Sequence, residues 1–411
     1  MSSPLASPLT LACGVTISNR LVKAAMTESL ADEWGRATDK LCNLYQTWSA
    51  GGSGLLITGN VQVDRRYVER PGNVCIDGTQ DEVQLERLRA YAKAGKSGGS
   101  KIFVQLGHAG RQSNGMINME PVGPGNIRLD MPAFAFGPPR ALEVAELMDI
   151  KSRFVYAAKV CQDTGFDGVQ IHSAHGYLLS SFLNPLANNR PELFGKEDQY
   201  GGDLANRSRL LLEIIHAVRD AVGPTFPISV KLNSADFQEG GFSPEEAVQV
   251  SIMLEEQGGI DLLEISGGNY ESGIFEEATQ HEHEGKREST VKREAYFLQY
   301  AIEIKKALKN TPVMVTGGWR VKKYMEQAIK EGECSFIGLG RPLCGDPDGR
   351  KEGRKCETAA ITAQVQHLND FFYWVHVSDV AHSAAHPCMQ SSNFFSSVMY
   401  AHAMLSGNIR T

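Results

Sequence analysis

The chain has 411 residues, of which 42% are hydrophobic, and its formal net charge is −7. This length allows one large α/β barrel or two ordinary domains, and the negative charge without a basic run excludes a nucleic-acid-binding surface. No apolar run reaches about 18 residues, so no membrane span is expected. Eight cysteines without a C-x-x-C pair argue against a disulfide framework or an iron–sulfur cluster. Because the N-terminus also lacks signal-peptide features, we expect a cytoplasmic protein with reduced thiols.

Short apolar runs recur along the chain, as is typical of strands buried on both faces. The predicted strands are Leu21–Ala25, Leu55–Gly59, Lys101–Leu106, Gly168–His172, Ile228–Leu232, Leu262–Ser266, Val313–Thr316 and Phe336–Leu339. Amphipathic stretches predict helices over Asp39–Ser49, Gln80–Lys96, Asp149–Asp163, Ser208–Val222, Ser243–Gln257, Arg293–Lys309 and Val321–Lys330. Repeated strand-then-helix units predict an α/β fold, a single (β/α)8 TIM barrel. In this fold the active site lies at the C-terminal ends of the strands.

Two imidazoles and a phenol lie together where the fourth predicted strand ends. The stretch Gly168-Val-Gln-Ile-His-Ser-Ala-His-Gly-Tyr-Leu178 starts as a strand, and a glycine-containing turn follows. His172, His175 and Tyr177 can each donate a hydrogen bond to a substrate oxygen and move a proton. Histidines that only satisfy loop backbone are one alternative. Zinc ligands are another, although no third ligand stands at a motif spacing.

This stretch resembles the H-x-x-H-G-Y segment of the old yellow enzyme family of flavin-dependent ene-reductases. The run from Phe182 to Arg207 is also similar to that family, and the resemblance covers about the first 345 residues. It implies bound flavin mononucleotide (FMN), NAD(P)H as the hydride donor and a small enone-type substrate. It also implies that His172 and His175 bind the substrate's carbonyl oxygen while flavin N5 delivers hydride to the β-carbon. Tyr177 would then give a proton to the α-carbon.

The resemblance further implies flavin-ring contacts after the first two strands. The segment Ala24-Ala25-Met26-Thr27 follows Asn19-Arg20, as in the family's first flavin-contact segment. By that match Thr27 would hydrogen-bond the flavin near its C4 carbonyl, where relatives often carry cysteine. Asn60, after the second strand, would reach the ring edge, although an asparagine that only closes a turn fits the same position.

Two polar side chains at later strand ends match the flavin's pyrimidine edge. Gln105 ends the third strand, and a buried glutamine there needs partners for its amide. Lys231 lies in an apolar strand, where a cation must find an anion or reach solvent. The family commonly places a cation here against the flavin N1–O2 edge. Because reduced flavin is negative at that edge, a fixed cation favours reduction.

Glycine-rich turns follow the last two predicted strands, where barrels hold phosphate groups on exposed backbone N–H groups. The seventh strand ends in Gly317-Gly318 and the eighth in Gly340-Arg341, with Arg341 as a charged donor. The pair matches the family's phosphate site for FMN. The Gly338-x-Gly340 pattern is not a dinucleotide fingerprint, because the third glycine is absent and a proline interrupts the helix start.

We therefore expect an FMN-dependent oxidoreductase. Residues 1–345 would form the FMN-binding barrel core, and residues 346–411 would add the last helix, over Ala359–Phe372, and a C-terminal extension of the same domain. No nucleic acid, membrane or resident metal is expected as a partner, and a homo-oligomer is left open. Two other classes stay open. One is a metal-dependent TIM-barrel hydrolase using His172, His175 and a carboxylate, and the other is a flavin-binding biosynthetic relative without general ene-reductase turnover.

Overall fold

Eight parallel strands form the centre of the computed structural model, which describes residues 3–131, 135–272, 296–345 and 347. The strands are β1 Leu21–Lys23, β2 Leu55–Ile57, β3 Lys101–Gly107, β4 Gly168–Ser173, β5 Ile228–Asn233, β6 Leu262–Ser266, β7 Val313–Thr316 and β8 Phe336–Leu339. Each strand pairs in parallel with the next, and β8 pairs with β1, so the sheet closes on itself. The predicted (β/α)8 barrel is confirmed.

Seven helices lie between the strands in the described part of the chain. They are α1 Asp39–Ala50, α2 Glu82–Lys96, α3 Val144–Asp163, α4 Leu204–Val222, α5 Pro244–Met253, α6 Leu298–Ala307 and α7 Lys322–Lys330. A π-helical turn, Leu254–Gly258, continues α5. Shorter helical segments are Pro4–Ala6, Gly110–Gln112, Leu178–Leu183, Arg190–Phe194 and Pro342–Gly345. The predicted helix over Ala359–Phe372 lies outside the described residues. No helix within them is long and apolar enough to cross a membrane.

Helix α5 begins where the sequence indicates. The Ser243 hydroxyl accepts from the backbone N–H of Glu246 at 3.2 Å, the Glu246 carboxylate accepts in return from the Ser243 backbone, and Pro244 is the first helical residue. This reciprocal capping satisfies N–H groups that the first helical turn leaves free. Helix α3 begins earlier than predicted because Glu143 and Glu146 form the same arrangement there. A charged pair at this place was not recognised as a helix start.

An apolar cluster fills the barrel interior near the beginnings of the strands. A short antiparallel pair, Leu9–Thr10 with Thr16–Ile17, contributes Ile17 to this cluster, which also holds Phe103 and Leu262. Because alternate residues of a strand share a face, Gln105 and Glu264 face the same interior one step closer to the C-terminal ends. The interior therefore changes from apolar to polar towards the end of the barrel where the site is expected.

Candidate active site

One cavity at the C-terminal ends of β1 to β5 gathers most of the predicted site residues. It is lined by Ala25, Met26, Thr27, Asn60, Gln105, His172, His175, Tyr177 and Lys231. Ala24 does not line it: its side chain is buried in the apolar interior, and its backbone N–H donates to Leu339 at 2.8 Å. The closed barrel thus brings together side chains that are far apart in sequence, because parallel strands end at the same side of the sheet.

The hydrogen bonds of His172 and His175 orient both imidazoles. His172 Nδ1 accepts from the backbone N–H of Ala174 at 3.3 Å, so the neutral ring carries its proton on Nε2 and can donate there. His175 has a left-handed backbone with φ of 61°. Its backbone N–H donates to Asn233 Oδ1 at 3.1 Å, and its Nε2 lies 2.8 Å from the Ser266 hydroxyl. Asn233 and Ser266 were not recognised in the sequence, and they hold a strained residue in place.

Electrostatics keep the two rings neutral and the nearby phenol protonated. Burial, and then the positive charge of Lys231, lower the pKa of His172 and His175 well below its ordinary value. Burial, followed by the negative charge of Glu69, raises the pKa of Tyr177 well above its ordinary value. The Tyr177 ring lies 4.9 Å from the His172 ring. At neutral pH each of the three side chains therefore carries one proton on a ring nitrogen or on the phenol oxygen.

Lys231 points into the cavity and is paired inside the barrel. Its Nζ lies 3.0 Å from Oε1 of Glu264, and both side chains are almost completely buried. A cation in an apolar strand needs an anion or solvent, and Glu264 is the anion for Lys231. Glu264 was missed, although the same rule applies to a carboxylate within Leu262–Ser266.

A second carboxylate, Glu69, borders the cavity near the end of β1. The Thr27 hydroxyl donates to Glu69 Oε2 at 2.7 Å, and the Asn60 amide donates to the same oxygen at 3.4 Å. Arg70 pairs with Oε1 at 3.0 Å. Among the described residues, Asn60 Oδ1 is buried without a hydrogen-bond partner. Since the one hydroxyl proton of Thr27 is directed to Glu69, only its lone pairs are left for a ligand.

The glycine-rich turns after β7 and β8 begin at the same end of two adjacent parallel strands, since Thr316 pairs with Gly338. Gly317 and Gly318 have φ of 123° and 78°, a backbone that side chains other than glycine rarely adopt. An added Cβ on Gly340 would lie 3.6 Å from Met26 Sδ, which places this turn beside the cavity. Arg341 is exposed. Backbone N–H groups of such turns and a guanidinium are donors of the kind that bind phosphate.

Two loops meet above the cavity. Phe136 stacks on Tyr270 with ring centroids 6.1 Å apart, and Arg111 forms a buried ion pair with Glu271 at 2.5 Å. The backbone N–H of Asp130 donates to the same carboxylate at 3.0 Å. The long loop after β3 is therefore fastened to the loop after β6. Arg111 therefore has a structural role in joining the two loops.

The donor set fits the edge of a flavin better than a metal ion. The cavity offers an ammonium group, amides, hydroxyls and neutral imidazoles. These groups match a heterocycle that carries carbonyl oxygens and an N–H. Within the part of the chain that the structure describes, no three His, Cys, Asp or Glu side chains are grouped as metal binding requires.

A closed (β/α)8 barrel with a polar cavity and adjacent glycine-rich turns at the C-terminal ends of its strands is consistent with the class of flavin-dependent oxidoreductases. Residues 4–352 match the model of the NADH:flavin oxidoreductase / NADH oxidase family. The chain belongs to this family, the old yellow enzyme family, as its motifs predict.

Relatives of known sequence and structure agree with this membership. The chain is 36% identical to the NADH-dependent flavin oxidoreductase iliE of Hypocrea jecorina, over 83% of this chain and 86% of that protein. Its structure is similar to 2-naphthoyl-CoA reductase, with a TM-score of 0.75, 26% identity and coverage of 86% of this chain and 53% of that chain. It is also similar to the old yellow enzyme homologue from Zymomonas mobilis, with a TM-score of 0.66, 25% identity and coverage of 84% of this chain and 90% of that chain. The chain thus spans about half of the naphthoyl-CoA reductase.

Proposed function

We propose that this protein binds FMN at the barrel cavity, takes hydride from NAD(P)H and reduces the activated C=C bond of a small α,β-unsaturated carbonyl compound. The observation that carries the proposal is the group of three proton-bearing side chains on one cavity wall: His172, His175 and Tyr177. NADH is the favoured donor, because the relative from Hypocrea jecorina is named NADH-dependent.

The proposed FMN site uses the residues around the cavity and the two phosphate turns. Gln105 and Lys231 would face the pyrimidine edge, while Ala25, Met26 and Thr27 border the ring. Asn60 also lines the cavity and would reach the ring edge. The phosphate would bind to the turn glycines and the guanidinium, namely Gly317, Gly318, Gly340 and Arg341. When bound, FMN supplies a hydride acceptor for NAD(P)H and a hydride donor for the substrate.

The histidines polarise the substrate. The Nε2–H of His172 donates to the substrate's carbonyl oxygen, where negative charge develops as the β-carbon gains hydride. His175 donates to the same oxygen from Nδ1, in the tautomer whose Nε2 accepts from the Ser266 hydroxyl. Because both rings are neutral, they stabilise this negative charge as hydrogen-bond donors and not as positively charged imidazolium groups. Tyr177 then gives its proton to the α-carbon, which completes the addition of hydrogen across the double bond.

The proposal is tested by a spectrum and two half-reactions. We expect purified protein to be yellow, to release FMN on denaturation, and to lose its flavin absorbance when NADH or NADPH is added without oxygen. Addition of 2-cyclohexenone should then restore the absorbance. Colourless protein that stays flavin-free when mixed with FMN contradicts the proposal. A reduced flavin that persists through a panel of enones supports instead the flavin-binding relative without general turnover.

A further inference from the structure

Four side chains form one continuous polar chain inside the barrel, between the apolar cluster and the cavity. Gln105 Nε2 donates to Gln170 Oε1 at 2.8 Å, and Gln170 Nε2 donates to Glu264 Oε2 at 2.8 Å. The other oxygen of Glu264 lies 3.0 Å from Lys231 Nζ. All four residues are at most 3% exposed. The two ends of the chain, Gln105 and Lys231, line the cavity, whereas its two central members do not.

The strand register builds this chain. Gln105 is the direct partner of Gln170 across β3 and β4, and Lys231 is the direct partner of Glu264 across β5 and β6. Directly paired residues of adjacent strands point to the same face of the sheet. The chain therefore follows from the closed sheet and does not depend on loop conformations.

The charge of Glu264 determines the direction of every hydrogen bond in the chain. As the ion-pair partner of Lys231, Glu264 is a carboxylate and can only accept. Gln170 must therefore donate its Nε2 to Glu264, which turns its Oε1 towards Gln105. Gln105 must in turn donate its Nε2 to that oxygen, so its own Oε1 remains available to the cavity. This direction follows from the carboxylate, whichever way the amides are assigned.

We propose that Glu264 is a positioning residue that acts at both ends of this chain: through Gln170 it makes Gln105 present an acceptor oxygen to the flavin-binding cavity, and directly it holds the ammonium group of Lys231 there. The inference rests on the proposed function. The pyrimidine edge of oxidised flavin carries one N–H donor, at N3, between two carbonyl oxygens. A fixed acceptor from Gln105 complements that donor, and a fixed cation complements the oxygens.

The test compares FMN with FMN methylated at N3, which lacks the donor. Flavin-free protein is titrated with each ligand, and the ratio of the two dissociation constants is measured for Gln170→Met, which interrupts the chain but keeps the Lys231–Glu264 pair. Gln84→Met is the matched control. Gln84 lies on helix α2 and is also a buried glutamine, and its side-chain amide donates to the backbone oxygen of Cys75 at 3.1 Å. Glu264→Gln, which can also donate, serves as a second variant if Gln170→Met does not fold.

We expect the native protein and Gln84→Met to bind FMN about tenfold or more tightly than N3-methylated FMN. In Gln170→Met this ratio of dissociation constants should fall to about threefold, because one oriented buried hydrogen bond is lost. An unchanged ratio in Gln170→Met, with FMN still bound, overturns this inference and leaves the proposed function intact.

The direction of the chain is also measured without flavin. In protein labelled with ¹⁵N at glutamine side chains, one Nε2 hydrogen of Gln105 should exchange slowly with solvent in the native protein and rapidly in Gln170→Met. Rapid exchange in the native protein overturns the inference. Failure to bind FMN together with slow exchange upholds the direction of the chain and contradicts only the proposed function.

Discussion

The hydroxyl of Thr27 donates its only proton to Oε2 of Glu69, at 2.7 Å. Glu69 also accepts from Asn60 and pairs with Arg70, so three side chains at the edge of the cavity depend on one buried carboxylate. A negative charge at this place opposes the formation of anionic reduced flavin. In the proposed FMN complex Glu69 would therefore lower the reduction potential of the flavin, whereas Lys231 would raise it.

From this relationship we expect Glu69→Gln to raise the reduction potential of bound FMN. An interaction of about 1 kcal/mol between charges near water corresponds to roughly 20 mV for a two-electron couple. The potential is measured by equilibration with a reference dye. Glu86→Gln, which removes an exposed carboxylate on α2, should leave the potential unchanged. An equal or lower potential in Glu69→Gln means that the carboxylate does not act on the flavin.

The combined change His172→Ala and His175→Ala should slow reoxidation of the reduced flavin by enones by at least about 100- to 1,000-fold, because one oxyanion donor typically contributes that much. Reduction by NAD(P)H and flavin binding should change little. Stopped-flow absorbance measures the two half-reactions separately.

Tyr177→Phe is the companion variant for the histidine pair. It should slow only the enone half-reaction. It should also bind phenol-like ligands more tightly than the double histidine variant, because that variant lacks the two imidazoles that bind the ligand's oxygen. Loss of flavin or of the fold in the double variant would show that the histidine pair is structural.

Lys231→Met should both lower the flavin's reduction potential and destabilise the protein. Removal of one partner leaves Glu264 buried and uncompensated, which costs about 3–5 kcal/mol of unfolding free energy. Adding Glu264→Gln should recover much of that loss, since no buried charge remains. Urea unfolding and potentiometry measure the two effects. Equal stability of the single and double variants would contradict the ion pair.

Arg341→Ala should weaken FMN binding by about tenfold or more, because a charged hydrogen bond to phosphate contributes roughly 1.5–3 kcal/mol. Saturating FMN should restore most of the enone reduction rate. Arg89→Ala, at an exposed position on α2, is the control for loss of one positive charge. Equal FMN affinity in Arg341→Ala and the native protein would exclude Arg341 from the phosphate site.

Acid should destabilise the protein through His108. Burial lowers the pKa of this side chain to about 4, although Asp64 opposes the shift. The unfolded chain binds the proton near pH 6.5, so the stability present above that pH is lost as the pH falls towards 4. The loss from His108 alone is about 2 kcal/mol between pH 7 and pH 5.

Urea unfolding at the two pH values measures this loss. His108→Gln should reduce it, while the matched change at exposed His216, His216→Gln, should not. The lowered pKa values of His172 and His175 add to the same loss, so His108→Gln is not expected to abolish it. The same slope in His108→Gln and the native protein would show that His108 does not contribute.

The sequence by itself determined the barrel and the position of the site within it. Eight apolar runs separated by amphipathic stretches allow few other folds, because strands buried on both faces need helices on the outside of the sheet. His172, His175 and Tyr177 were identifiable because they lie at the end of a strand or directly after it, and the functional end of a barrel is known from its topology. These signals are local, so they can be recognised without the fold.

Only the tertiary structure decided which side chains act together. Gln170 and Glu264 were visible in the sequence as polar residues in apolar strands, yet nothing local pairs Glu264 with Lys231 or Gln170 with Gln105. Those pairs come from the register of adjacent strands in the closed sheet. Glu69 likewise reaches Thr27 only through the folding of a loop. Register and closure depend on packing over the whole barrel, and for that physical reason the partners of the site residues could not be derived from the sequence.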